Sequence, residues 1–274
     1  MLAENPGIGA LQAGAILIGV LLLLISMTGG LHWIRSFFTE PLIGGIQLGI
    51  GILLLLRGLD LILAGSATAG AVSWTTTHMP SANDFIAGAW ILVLPQFPLT
   101  LGNAVFSTSA AAHHYFGRNA FRVSPTNLVV SMGAANIIMG VLGGIPVCHG
   151  SGGLTAHYRF GARTGGATII IGGVCVLAGM SQGHHVHAIV SSIPLWMLGL
   201  VMIYVAFWHA SLAMGVGRAR WISLLTGLLT LITGGLFVPF LAGLVLDRTF
   251  AGSPGEHPKP RAGSDFERRH GGSA

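Results

Sequence analysis

Apolar residues run through this chain in blocks too long and too uniform for a water-soluble fold. Ile8–Gly30 carries no Asp, Glu, Lys or Arg, and neither does Ala167–Ile203. A helix that spans a bilayer needs roughly 20 such residues. The blocks are apolar on every face, whereas strands of a membrane barrel alternate apolar and polar positions over about 10 residues. The pattern therefore predicts helices near Ile8–Leu31, Leu42–Leu63, Phe85–His114, Thr126–Gly143, Ala167–Met180, Ile189–Met214 and Trp221–Leu246. The expected fold class is an all-α polytopic membrane protein.

Composition agrees. Of 274 residues, 52% are hydrophobic and 8% charged, against about 25% charged in soluble domains. The 42 glycines include small-xxx-small spacings such as Gly45–Gly49 and Gly140–Gly144, which let helices approach closely in lipid. Cys148 and Cys175 show no disulfide or zinc spacing. The net charge of +5 does not call for nucleic acid, since basic residues gather in cytoplasmic loops. They occur at Arg35, Arg118 and Arg122, Arg159 and Arg163, Arg218 and Arg220, and in the tail. This distribution predicts an amino terminus outside and a cytoplasmic tail in the cell (inner) membrane. Two conditions attach: the stretch around Cys148–Arg163 must cross, and Trp221–Leu246 must be a hairpin turning at Gly234-Gly235. No cleavable signal is expected ahead of the first block.

Two segments break the helical pattern. In Pro95-Gln96-Phe97-Pro98-Leu99-Thr100-Leu101-Gly102-Asn103, two prolines interrupt the hydrogen-bond ladder. Either the helix is kinked with its polar groups satisfied, or the backbone lines a cavity. The second, Ile145–Leu154, is a Pro-containing extended piece running into His149-Gly150-Ser151-Gly152-Gly153. It reads as a loop feeding a half-helix, whose free N–H groups and positive dipole end suit an anion. Discontinuous helices aimed at an anionic substrate recur in transporters.

Between Asp84 and Asp247 there is no Asp or Glu. A cation site usually recruits an intramembrane carboxylate, so the site reads as one for an anion. Arg159 and Arg163 either guide the anion at the cytoplasmic side or are basic anchors. His149 binds the anion, carries a coupled proton, or is simply hydrogen-bonded. Arg57 and Asp60 form an i,i+3 ion pair. His184, His185 and His187 are read as an extracellular loop rather than a metal site. Neither cofactor nor metal is expected, and without acid–base carboxylates an enzyme is not expected either.

PQFPLTLGNAV (Pro95–Val105) and IPVCHGSGGLTAHYRFGARTG (Ile145–Gly165) resemble the two signature stretches in the second half of the plant and bacterial molybdate transporter family, distant relatives of the sulfate permeases. RSFFTEPLIGGIQLGIGILLLLRGLD (Arg35–Asp60) extends the resemblance. It implies an inverted-repeat transporter with a core and a gate domain and an oxyanion held between two facing half-helices. On this chain the contributors would be Gln96, Thr100, Asn103, His149, Gly150, Ser151 and Gly152. The implied division is gate helices of the first repeat in 1–64, an extracellular loop in 65–84, core helices in 85–181, second gate helices in 182–250 and a disordered tail in 251–274. The first-repeat core motif has no match, so the chain is expected to hold the second half of the fold plus the end of the first.

The expected function is secondary transport of a tetrahedral oxyanion, molybdate ahead of sulfate, by alternating access. The alternative is a truncated or accessory membrane subunit with no transport of its own. Its expected partners are the oxyanion, the bilayer, and either the missing amino-terminal half or a second copy.

Overall fold

A computed structural model of the chain describes residues 7–64, 79–180, 192–215 and 220–250. Most of the 65–84 loop, the three-histidine stretch and the tail lie outside the described residues. Every regular element among the described residues is helical. Helix α1 spans Ile8–Met27, α2 Gly30–Arg35 and α3 Glu40–Leu63. A single bent span follows, made of α4 (Ala82–Ala87), a π-helical stretch (Gly88–Val93), α5 (Leu94–Leu99), a second π-helical stretch (Thr100–Ser107) and α6 (Thr108–Phe116). Then come α7 (Pro125–Val141), the short α8 (Ser151–Arg159) and α9 (Gly166–Met180). Helices α10 (Leu195–Ala210), α11 (Arg220–Thr233) and α12 (Phe237–Phe250) complete the described chain.

Three described helices are long and apolar enough to cross a membrane: Ile8–Met27, Glu40–Leu63 and Leu195–Ala213. The bent pair Ala82–Val93 and Gln96–Ala120 is apolar enough for a fourth when its two pieces are taken together. This is a multi-pass membrane protein. Large side chains on its surface, such as Ile169, Trp90 and Phe207, are exposed in the way lipid-facing residues are.

Glycine sets how the helices meet, because lipid supplies no hydrophobic drive between them. A methyl group added at Gly19 of α1 would lie 2.7 Å from the Gly133 carbonyl oxygen of α7, and one at Gly58 of α3 would lie 2.8 Å from that of Gly199 in α10. Gly45 and Gly49 approach Thr226 and Thr230 of α11 just as closely. Gly140 meets α1, but Gly144 lies beyond the end of α7 and touches only its own neighbourhood. Helix α1 packs on α7 and the first part of the bent span, and α3 packs on α10, α11 and α12. A cluster including Leu22, Phe38, Leu42, Ile46, Leu101 and Phe240 joins these groups. Phe38 stacks between Phe106 at 4.6 Å and Phe240 at 5.3 Å.

Helices α11 and α12 fold back on each other. Gly234 takes φ +64 at the turn, a left-handed conformation that glycine adopts without strain. Trp221, beginning α11, meets Phe250, ending α12, with ring centroids 5.7 Å apart. The expected hairpin is present. The Phe85–His114 prediction corresponds to the bent span, with a 52° bend beside Pro95 and Pro98, where proline removes a donor and crowds the preceding turn. The Arg57–Asp60 ion pair is present at 3.5 Å on the surface.

Candidate substrate site

The site is built around the start of α8. Helix α7 begins at Ser124-Pro125, with the Ser124 hydroxyl accepting from the Asn127 N–H at 3.2 Å, a standard cap. After α7 the chain runs without regular structure through Ile145–Gly150 before α8 starts. Asn136, 1% exposed on α7, holds this extended piece. Its amide donates to the Val147 carbonyl at 2.7 Å, and its oxygen accepts the Val147 N–H at 3.0 Å. The same amide donates to the Met132 carbonyl at 2.8 Å. A buried backbone pair is thus satisfied by one side chain, as burial requires.

The bent span holds the other side of the break. Thr108 donates to the His149 carbonyl at 2.9 Å and to the Asn103 carbonyl at 3.0 Å. The Asn103 side-chain oxygen accepts the Ser151 N–H at 3.4 Å and the Ser151 hydroxyl at 2.6 Å. Asn103 thereby caps α8 from another element. Ser151 is fully buried and accepts from Ser107 at 3.2 Å. From α10, His209 completes the set, with Nε2 3.3 Å from the Ser151 hydroxyl and Nδ1 2.9 Å from the Thr155 hydroxyl. Tyr115 donates to Thr155 at 3.2 Å.

Beside this network lies a cavity of about 130 Å³ between α1, the bent span, α7 and the extended piece. Gln96, Thr100 and Asn136 give it polar atoms, and Gly14, Ile18 and Val147 give it apolar walls. The predicted residues thus separate into three settings. Gln96 and Thr100 line the cavity, while Asn103 and Ser151, outside its lining, bond to each other. The His149 ring, on an exposed residue, turns to Ser131, with Nε2 2.8 Å from the hydroxyl. Gly150 precedes α8, and Gly152 sits against Leu54 and Ile50 of α3. No carboxylate takes part in any of these contacts.

Arg159 and Arg163 stand at the far end of α8. The Arg159 guanidinium lies 3.5 Å from the centroid of the Trp208 ring, with Tyr115 and Tyr158 within 6 Å. Arg163 lies 3.8 Å from the Tyr158 ring centroid and donates to the Tyr158 and Ala162 carbonyls. Rings hold the Arg159 charge, and a ring with backbone oxygens holds that of Arg163.

Several residues in the network carry no signal in the sequence as read above: Ser107, Thr108, Tyr115, Ser131, Asn136, Thr155 and His209. Asn136 inside α7 and His209 in the last turn of α10 are strongly polar side chains in apolar helices, where such groups must find partners.

Residues 88–208 match the model of the family described as molybdate transporter of MFS superfamily. The family resemblance is to the molybdate transporters. Molybdate transporter 1 of Chlamydomonas reinhardtii is 34% identical over 172 residues, covering 61% of this chain and 33% of that protein. Molybdate transporter 2 of Arabidopsis thaliana is 33% identical over 124 residues, 45% of this chain and 26% of that protein. Molybdate transporter 1 of the same plant is 29% identical over 122 residues, 44% of this chain and 25% of its own. The chain spans a quarter to a third of the length of these relatives. No solved structure matches. The family match covers the bent span from Gly88 onward, the Asn136 clamp and α8.

Proposed function

We propose that the chain forms part of a secondary transporter that carries a tetrahedral oxyanion, molybdate before sulfate, by alternating access. One observation carries the anion: the extended piece that leads into the capped half-helix lines a cavity, in a stretch without Asp or Glu from 85 to 246. A helix N-terminus offers N–H donors and about half a positive charge, and nothing nearby opposes a dianion. Molybdate rests on the named relatives; both anions are tetrahedral dianions that the same donors would hold. In this reading the bent span, α7, α8 and α9 form the core, and α1 belongs with the gate helices of the first repeat. Helices α3, α10, α11 and α12 complete the gate, which moves against α8. Gln96, Thr100 and the backbone from His149 to Gly152 contact the anion, while Asn103 and Ser151 hold the half-helix.

Labelled molybdate uptake by cells producing the chain tests this. Uptake should depend on the chain, fall in Thr100→Ala and Asn103→Ala, and be inhibited by excess sulfate. Chain-independent uptake, or full uptake in both variants, overturns it. A second reading is favoured by the coverage of the relatives, a quarter to a third of each. In it the chain is a truncated or accessory membrane subunit without transport activity of its own. Co-production of the matching half of a relative would then restore uptake that the chain alone lacks.

A further inference from the structure

The hydrogen bonds behind the half-helix have only one consistent direction. A backbone N–H can only donate, so the Ser151 N–H fixes Asn103 with its oxygen toward α8. That oxygen can only accept, so the Ser151 hydroxyl must donate to it. The Ser151 oxygen is then an acceptor toward Ser107 and His209, which uses both its lone pairs. His209 must therefore carry its proton on Nε2, leaving Nδ1 as an acceptor for the Thr155 hydroxyl. Thr155 in turn accepts from Tyr115. The chain of groups runs Tyr115, Thr155, His209, Ser151, Asn103, with every hydrogen assigned.

We propose that His209 is the proton-carrying group of the transport cycle, taking up a proton on Nδ1 together with the oxyanion at the start of α8. This rests on the transport reading above. Three features carry it. His209 is fully buried, and it belongs to α10, which packs on α3 and touches α8, so it joins the gate to the half-helix. Protonation requires no movement of heavy atoms. The Thr155 hydroxyl hydrogen turns away, toward the carbonyl four residues back as helical threonines do, and its oxygen then accepts from Nδ1–H. The charged ring would lie one hydroxyl behind the anion position. A dianion there favours the charged ring, and by reciprocity the charged ring favours the dianion.

The surroundings of His209 contain few other charges. From α3 come Glu40 and the Arg57–Asp60 pair, which is exposed and self-satisfied. From α8 come Tyr158, Arg159 over Trp208, and His157, whose Nδ1 meets the Gly153 carbonyl at 2.9 Å. The 211–215 turn brings no titratable group. Through α8, α6 adds Tyr115, His114 and His113, the last bonded to the Ser109 carbonyl. Among the described residues the side chains bonded to His209 are the Ser151 and Thr155 hydroxyls, neither a carboxylate.

Molybdate uptake is measured with and without an imposed inward proton gradient, alongside nitrogen NMR of histidine-labelled full chain. In the unsubstituted chain the gradient should raise uptake, at most about tenfold per pH unit for one titrating group. In His209→Gln the ratio of uptake with and without the gradient should fall to about one, whereas His149→Gln should keep the gradient response. The spectrum missing from His209→Gln should be that of an Nε2–H ring. A preserved gradient response in His209→Gln, its loss in His149→Gln instead, or an Nδ1–H ring at position 209 each overturns the proposal. An Nε2–H ring that gains a proton on acidification, in a chain that transports nothing, upholds the proton site and overturns the transport reading.

Discussion

At the scale of single residues, Asn103 separates holding from binding. Its oxygen caps α8 through two bonds to Ser151, and a buried donor left without its acceptor costs about 1–3 kcal/mol. Asn103→Ala should therefore lower both uptake and the unfolding temperature in detergent. Asn103→Asp keeps an acceptor for both bonds and places a negative charge beside the anion site. Its unfolding temperature should stay closer to that of the unsubstituted chain than the alanine variant's does. Uptake should nonetheless fall more than tenfold, which corresponds to at least about 1.4 kcal/mol of repulsion. If uptake by the aspartate variant equals that of the unsubstituted chain, Asn103 does not lie near the anion. Asn136 acts only as a clamp, and Asn136→Ala should speed hydrogen exchange at the Val147 amide. These roles also show what a sequence can convey. Asn103 stood out because prolines flank its segment, but nothing local shows that its partner is Ser151, 48 positions away. His209 is polar in an apolar helix, but its role is set by Ser151 and Thr155 of α8, more than 50 positions away.

At the scale of elements, the apolar blocks predicted α1, α3, α7 and α9 closely, since helix length in a membrane follows the count of apolar residues. The bend at Pro95 and the half-helix at Ser151 were also legible, because proline and glycine act locally. The π-helical stretches were not: widening a turn leaves no mark in composition. The α11–α12 hairpin gives a direct test. Cysteines placed at Arg220 and Thr249 should react with an impermeant reagent from the same side of the membrane, because Trp221 and Phe250 are in contact. Labelling from opposite sides would require a single crossing. Enlarging Gly19 to leucine should separate α1 from α7, whose backbone lies within van der Waals contact of an added methyl group. A lower unfolding temperature in detergent would record the loss.

For the whole molecule, three described helices long and apolar enough to span a membrane predict that alkaline carbonate washing leaves the chain in the membrane pellet; its release would mean surface attachment. The absence of Asp and Glu from 85 to 246 has one further effect, felt at Arg159 and Arg163. A carboxylate neighbour would neutralise these side chains permanently, and an arriving dianion would have to displace it. Aromatic faces behave otherwise. A ring stabilises a guanidinium by about 0.5–2 kcal/mol without carrying net charge, so Trp208 and Tyr158 hold the two arginines in place and leave their fields unquenched. The carboxy-terminal end of α8 therefore keeps its positive potential while its side chains are already fixed, and an anion approaching it meets no resident competitor.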